Sequence, residues 1–224
     1  MFLKPSTQVI PTLNQDYPDW HKGRQHYALW YIEILDPELL AYVTALRAQF
    51  SDLLYTPNTR QFHITLFICG FFEELNKIQL IDRSEPRWND NFSADELALH
   101  QQQLRQLSLS TIRLRTGQIN SFQSALFIEI LDLDRKFDHL RQAFNLSSNE
   151  IAPIEYCPHI TLGLYKQAWN SDDIFERIQQ VEQHSFDFES EQLTFGHYQA
   201  QVLQGALSPY YQHQFRQNIE MAQS

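Results

Sequence analysis

The chain has 224 residues, with 27 acidic against 17 basic side chains and two cysteines. That length gives one large domain or two small lobes with ample core, and 43% hydrophobic with 13% aromatic content excludes a disordered chain. A formal charge of −10 excludes a long basic track for polymeric nucleic acid, and two cysteines exclude a disulfide framework.

Residues 1–26 contain scattered prolines and read as an irregular N-terminal extension. The opening Met1-Phe2-Leu3-Lys4-Pro5 carries no apolar core, so no secretory signal is expected. Tyr27 to Ile34 is aromatic and β-branched, which predicts a strand. Pro37 opens a helix with Leu39, Leu40, Val43, Leu46 and Phe50 at helical spacing. A turn at Pro57-Asn58 leads into an apolar strand, Phe62 to Phe72. Residues 73–92 lack periodicity and read as a long binding loop or lid. Ser93 and Glu96 form a capping box for a helix to about Leu107. Thr111 to Thr116 alternates as a half-buried strand does. Ala125 to Leu131 predicts another strand, followed by a helix with Leu133, Phe137, Leu140 and Phe144 on one face. Tyr156 to Tyr165 is the next strand. Asn170 caps a helix burying Ile174, Ile178 and Val181, and Phe186 to Ala200 gives two short strands. No stretch approaches the ~18–20 apolar residues of a membrane helix. A cytoplasmic protein with no membrane partner, monomeric by default, is expected.

The chain repeats itself. Ile32-Glu33-Ile34-Leu35-Asp36 returns as Ile128-Glu129-Ile130-Leu131-Asp132, and His63-Ile64-Thr65-Leu66 returns as His159-Ile160-Thr161-Leu162. Both returns share an offset of 96 (32 to 128, 63 to 159). This predicts an α+β fold: one bilobal domain over 27–224, with two pseudo-twofold strand–helix–strand units, about 27–109 and 110–224, around a central groove. Along a strand His63 and Thr65 share a face, as do His159 and Thr161, while the intervening Ile and Leu turn to the core. Two imidazoles facing a groove supply a general base and a general acid near neutrality. Two hydroxyls can donate to phosphoryl oxygens as charge builds. Such chemistry needs no metal and no cofactor.

The pair of His-hydrophobic-Thr-hydrophobic motifs resembles the 2H phosphoesterase superfamily, which includes bacterial 2′-5′ RNA ligase-like proteins and cyclic phosphodiesterases. The contexts Phe62-His63-Ile64-Thr65-Leu66-Phe67 and Pro158-His159-Ile160-Thr161-Leu162-Gly163 carry that resemblance, together with Gly117-Gln118-Ile119-Asn120-Ser121-Phe122. It implies His63 and His159 as the catalytic pair and Thr65 and Thr161 as phosphate holders. It also implies opening of a 2′,3′-cyclic phosphate on a small nucleotide or an RNA end; the sequence leaves open which histidine is base, and His159 as base with His63 as acid is the assignment preferred. A 2′-5′ RNA ligase, an RNA-end repair factor, or a noncatalytic nucleotide-binding module of the same fold are the alternatives. The acidic surface suits a mononucleotide or a single RNA end better than long RNA.

Further groups are candidates for substrate contact. Phe67 and Tyr165 fall on the histidine faces by alternation and could stack a base. Arg60, Lys166, Lys22 and Arg24 could hold phosphate, the last two beside Trp20, His21, His26 and Tyr27. Arg113 and Arg115 are candidates for the same local positive charge. Cys69 and Cys157 fall on the histidine faces as well, which leaves a zinc site or a Cys–His nucleophile pair as rival readings.

Overall fold

The computed structural model describes residues 1–76, 89–151 and 155–216; most of the loop predicted over 73–92 lies outside them. In chain order it contains α1 (Pro18–His21), β1 (His26–Glu33), α2 (Pro37–Gln49), β2 (His63–Phe72), β3 (Asn91–Phe92), α3 (Ala94–Leu107), β4 (Ile112–Ser121) and β5 (Ala125–Asp132). There follow α4 (Lys136–Phe144), β6 (His159–Leu164), α5 (Ser171–Gln180), β7 (Asp187–Ser190), β8 (Gln192–Gln199) and β9 (Ser208–Gln214).

Local chemistry sets the helix starts. Asp36 accepts from the Leu39 amide at 2.8 Å with Pro37 in the first turn of α2. At α3, Ser93 and Glu96 form the reciprocal capping box: the Ser93 hydroxyl accepts from the Glu96 amide at 3.2 Å, and Glu96 accepts from the Ser93 amide at 2.7 Å. Asn170 accepts from the Asp172 amide at 3.0 Å and starts α5. Leu133, expected on the buried face of α4, precedes that helix and is exposed; α4 buries Phe137, Leu140 and Phe144.

The strands form one curled sheet in the order β7-β4-β5-β6-β2-β1-β8-β9, with β3 added beside β2. Every pairing between these strands is antiparallel except β2–β3. Gly70 permits that addition. Its φ is +101°, and a Cβ there would lie 2.3 Å from the Asp90 carbonyl oxygen. The helices cover one face of the sheet, where Leu39, Val43, Leu46, Leu97, Leu104, Phe137, Leu140, Phe144, Ile174 and Ile178 meet Ile64, Leu66, Ile160 and Leu162 in a single core. A second, small cluster of Leu29, Tyr31 and Leu207 stands apart from it. Among the described residues no helix is long and apolar enough to cross a membrane.

The first 26 residues are more ordered than their composition suggests. Leu3 donates to Ser121 O at 2.9 Å, Val9 to Trp169 O at 3.0 Å and Thr12 to Tyr165 O at 2.9 Å, and Leu3 and Val9 are buried. The segment thus runs along the second half of the sheet. Its Ser6 and Thr7 amides bond Asp172 and Ser171 at the start of α5.

Candidate active site

The site is built at the seam where the two copies meet. β2 and β6 are joined through one registered pair, Ile64 opposite Ile160, and both residues are fully buried. Alternation then carries His63, Thr65, His159 and Thr161 to the other face. Antiparallel registry sets His63 beside Thr161 and His159 beside Thr65, at the ~4.5–5.5 Å Cβ spacing of directly opposed residues, with the two imidazoles on the longer diagonal. All four side chains are half-buried.

The symmetry extends outward. On β1, Tyr31 faces Thr65 and Glu33 faces His63; on β5, Phe127 faces Thr161 and Glu129 faces His159. Each is a pair at the same 96-residue offset. An aromatic ring flanks each imidazole: Tyr31 lies 5.7 Å from His63, and Phe127 lies 5.1 Å from His159, with Phe122 at 5.0 Å.

Each histidine is oriented by the same device. His63 Nδ1–H donates to the Gln61 carbonyl at 2.8 Å, and His159 Nδ1–H donates to the Cys157 carbonyl at 2.7 Å. A carbonyl only accepts, so Nδ1 carries the hydrogen and Nε2 is left for chemistry. Burial pushes His63 down to about 4; the Gln61 bond opposes this, while the charges of Arg60, His159 and Arg47 reinforce it. Burial also lowers His159, opposed by its bond to Cys157, and no arginine among the described residues acts on it.

Two arginines supply positive charge at the His63 side. Arg60 is half-buried, donates to Gly205 O at 2.9 Å and lies 3.9 Å over the Tyr198 ring. Arg47 donates to Leu162 O at 2.7 Å and lies 3.8 Å over Phe62. Burial lowers Arg47 to about 10, so it stays charged at neutral pH. Sequence reasoning found Arg60 and missed Arg47, because its helix neighbours gave no sign that α2 runs beside the seam.

Several other expected contacts fall elsewhere, for one main reason. A bulge interrupts each motif strand at the same place: between Trp30 and Tyr31 the ladder skips Leu66, and between Leu126 and Phe127 it skips Leu162. One extra residue reverses the phase of alternation. Phe67 therefore packs in the core against His100 and Phe144 rather than beside His63. Tyr165 is likewise fully buried, its hydroxyl 2.7 Å from the Ser121 hydroxyl. Neither ring can stack a base from there.

Arg24 is buried, with Nη1 and Nη2 on Asp90 at 2.6 and 3.0 Å and a further bond to Asn91 at 2.6 Å. It sits 3.8 Å over Phe71. Phe71 is eight residues from His63 along β2, about 26 Å at ~3.3 Å per residue. Lys22, exposed, ends α1 in that same region. Lys166 is exposed beyond β6, where its charge acts on Asp52. Arg113 and Arg115 project to solvent from β4, where they pair with Asp134 and Asp187.

Cys69 follows the first bulge into the core, away from the histidine. Burial pushes its thiol up, and burial with Glu129 and Glu155 pushes Cys157 up, so neither favours the thiolate a nucleophile or zinc ligand requires. Among the described residues no group of three or more His, Cys, Asp or Glu converges as a metal site.

Comparison with solved structures gives the same fold. Escherichia coli LigT in apo form superposes with a TM-score of 0.54 at 14% identity, covering 87% of this chain and 99% of LigT. LigT complexed with 3′-AMP gives 0.55 at 14%, with the same coverage. TT0787 of Thermus thermophilus gives 0.55 at 13%, covering 86% of this chain and 99% of that one. No curated protein matches significantly. The family model of the 2′-5′ RNA ligase superfamily matches residues 35–201, which hold both histidine motifs. The chain belongs to the 2′-5′ RNA ligase superfamily, consistent with the 2H phosphoesterase pattern of its doubled motif.

Proposed function

We propose that this protein is a metal-independent phosphodiesterase that opens 2′,3′-cyclic phosphates on small nucleotides or RNA ends. The observation that carries the reading is the facing of two imidazoles and two threonine hydroxyls across the Ile64–Ile160 pair. The phosphate sits between them, its non-bridging oxygens accepting from the Thr65 and Thr161 hydroxyls, with Arg60 and Arg47 adding positive charge. A neutral imidazole takes a proton from water through Nε2 as the water oxygen attacks phosphorus. The other, protonated, gives its Nε2 proton to the departing ribose oxygen. One P–O bond forms and one breaks, yielding a phosphomonoester and a free hydroxyl. Each proton transfer contributes about 10²–10⁴-fold.

The direction of the pKa shifts supports the opposite assignment of base and acid. Arg60 and Arg47 oppose a proton on His63, so His63 is the one held neutral to take a proton and His159 the one to give it. LigT has been crystallised with 3′-AMP, ATP and phosphate, which supports ligands of this size and charge for this chain. The test is a panel of 2′,3′-cyclic nucleotides with and without chelator. Turnover that survives chelator is expected; inertness toward every cyclic phosphate and 2′-5′ oligonucleotide refutes the proposal. The superfamily description keeps 2′-5′ joining as a second reading. Long RNA products formed from suitable ends would identify it.

A further inference from the structure

Beside His159 the chain forms a shallow pocket of about 240 Å³, lined by Phe2, Glu129, Glu155, Tyr156, Cys157 and Pro158 among others. That is below the ~300–1,000 Å³ that encloses a whole drug-sized ligand, and suits one ring system. Its aromatic wall is continuous with the site. Phe2 lies 5.3 Å from Phe122 and 6.0 Å from Phe127, the two rings that flank His159. Phe2 is 41% exposed, yet its backbone is fixed: Leu3 donates to Ser121 O at 2.9 Å and Gln123 to Met1 O at 3.1 Å. A stacking face is thus preorganised at little entropic cost.

The polar wall is Glu129, directly across the ladder from His159. Asn120 Nδ2 donates to its Oε1 at 2.7 Å and orients the carboxylate. A carboxylate offers about four acceptor positions, and the Asn120 bond takes one of them. Glu155 is exposed at the rim. A second phosphate is repelled here, which directs the charged end of a nucleotide toward Arg60 and Arg47 and the ring toward Glu129.

Resting on the phosphodiesterase reading, we propose that this pocket is a nucleobase subsite that selects guanine, stacked on Phe2 and held by Glu129. Guanine presents two adjacent donors, N1–H and the N2 amino group, that match the two oxygens of a carboxylate. Uracil presents one N–H between two carbonyls, which the carboxylate repels. Adenine and cytosine present an amino group beside a ring-nitrogen acceptor.

The test measures kcat/KM for the four nucleoside 2′,3′-cyclic phosphates with the full chain, E129Q and F2A. Wild type is expected to favour guanosine over uridine by about tenfold or more, as a bidentate pair discriminates. E129Q should bring that ratio near one, and F2A, which leaves the Glu129–Asn120 bond in place, should lower guanosine turnover most. Equal wild-type rates on all four bases, or a ratio that neither variant alters, overturns the subsite and leaves the phosphodiesterase reading standing. If nothing is turned over, that reading fails, and calorimetric titration with the four nucleoside 3′-monophosphates decides the subsite alone. Tighter guanosine binding, lost in E129Q, supports it; equal binding overturns it.

Discussion

Arg60 and His63 make a prediction that can be followed proton by proton. The imidazole is held down to about 4 from an ordinary 6.5, which is about 3 kcal/mol against charging it. At pH 7 it then carries a proton in about one molecule in a thousand. Burial is the first cause, and the charges of Arg60, His159 and Arg47 follow, opposed by the bond to Gln61. Arg60→Gln removes one of those charges while keeping a polar side chain, so the His63 midpoint moves upward. Imidazole Cε1–H shifts followed from pH 3 to 8, with His63→Gln to assign the resonance, read it directly. The free-enzyme kcat/KM profile reads it again. Its acid limb should fall near pH 4, its alkaline limb, set by His159, below 6.5, and the acid limb should rise in Arg60→Gln. A wild-type His63 midpoint at or above 6.5, or one indifferent to Arg60→Gln, refutes the reasoning.

Other consequences are separable. Thr65→Ala and Thr161→Ala each remove one half-exposed hydroxyl, so each should lower kcat about 10²-fold with little change in urea midpoint; unchanged kcat would remove threonine from the phosphate. Arg24→Met strands Asp90 at a mostly buried pair and should cost about 3 kcal/mol in urea denaturation, with kcat/KM per folded molecule unchanged. Weaker substrate binding at full stability would return Arg24 to the site. His100 is fully buried, accepts from Trp30 Nε1–H at 3.0 Å and donates through Nε2 to Ser148 and Phe144. Its Nδ1 faces a donor, and burial lowers it to about 4. Because the unfolded chain binds this proton first, its contribution to stability is full above pH 6.5 and fades as pH falls toward 4. Between pH 7 and 4.5 wild type should lose about 2–3 kcal/mol that His100→Gln does not; identical pH dependence in the two would contradict this.

How much was legible depended on the range of the signal. The repeated His-Ile-Thr-Leu and Ile-Glu-Ile stretches carried the two central strands of each copy, because their alternation is local and their offset exact enough to read twice. Glu33, Glu129, Tyr31 and Phe127 were legible too, at the same offset, had it been followed outward from the motifs. The bulges at Leu66 and Leu162 were not, since a skipped residue leaves no composition mark, and they sent Phe67, Cys69 and Tyr165 to the core. Strand β9 is polar and mostly exposed, so edge pairing to β8 rather than burial makes it a strand. Arg24 beside Trp20 and Tyr27 mimicked a nucleotide grip, and only its distant partners Asp90 and Asn91 reveal a structural clamp.

The central claim is that His63 and His159 act on one phosphate as a unit. Single-turnover rates on guanosine 2′,3′-cyclic phosphate for wild type, His63→Ala, His159→Ala and the double variant test it most directly. Each single variant should fall at least about 10²-fold, and the double should fall little further, because base and acid serve the same step. A single variant that keeps a near-wild-type rate, or a double variant whose loss is the product of the two singles, contradicts it.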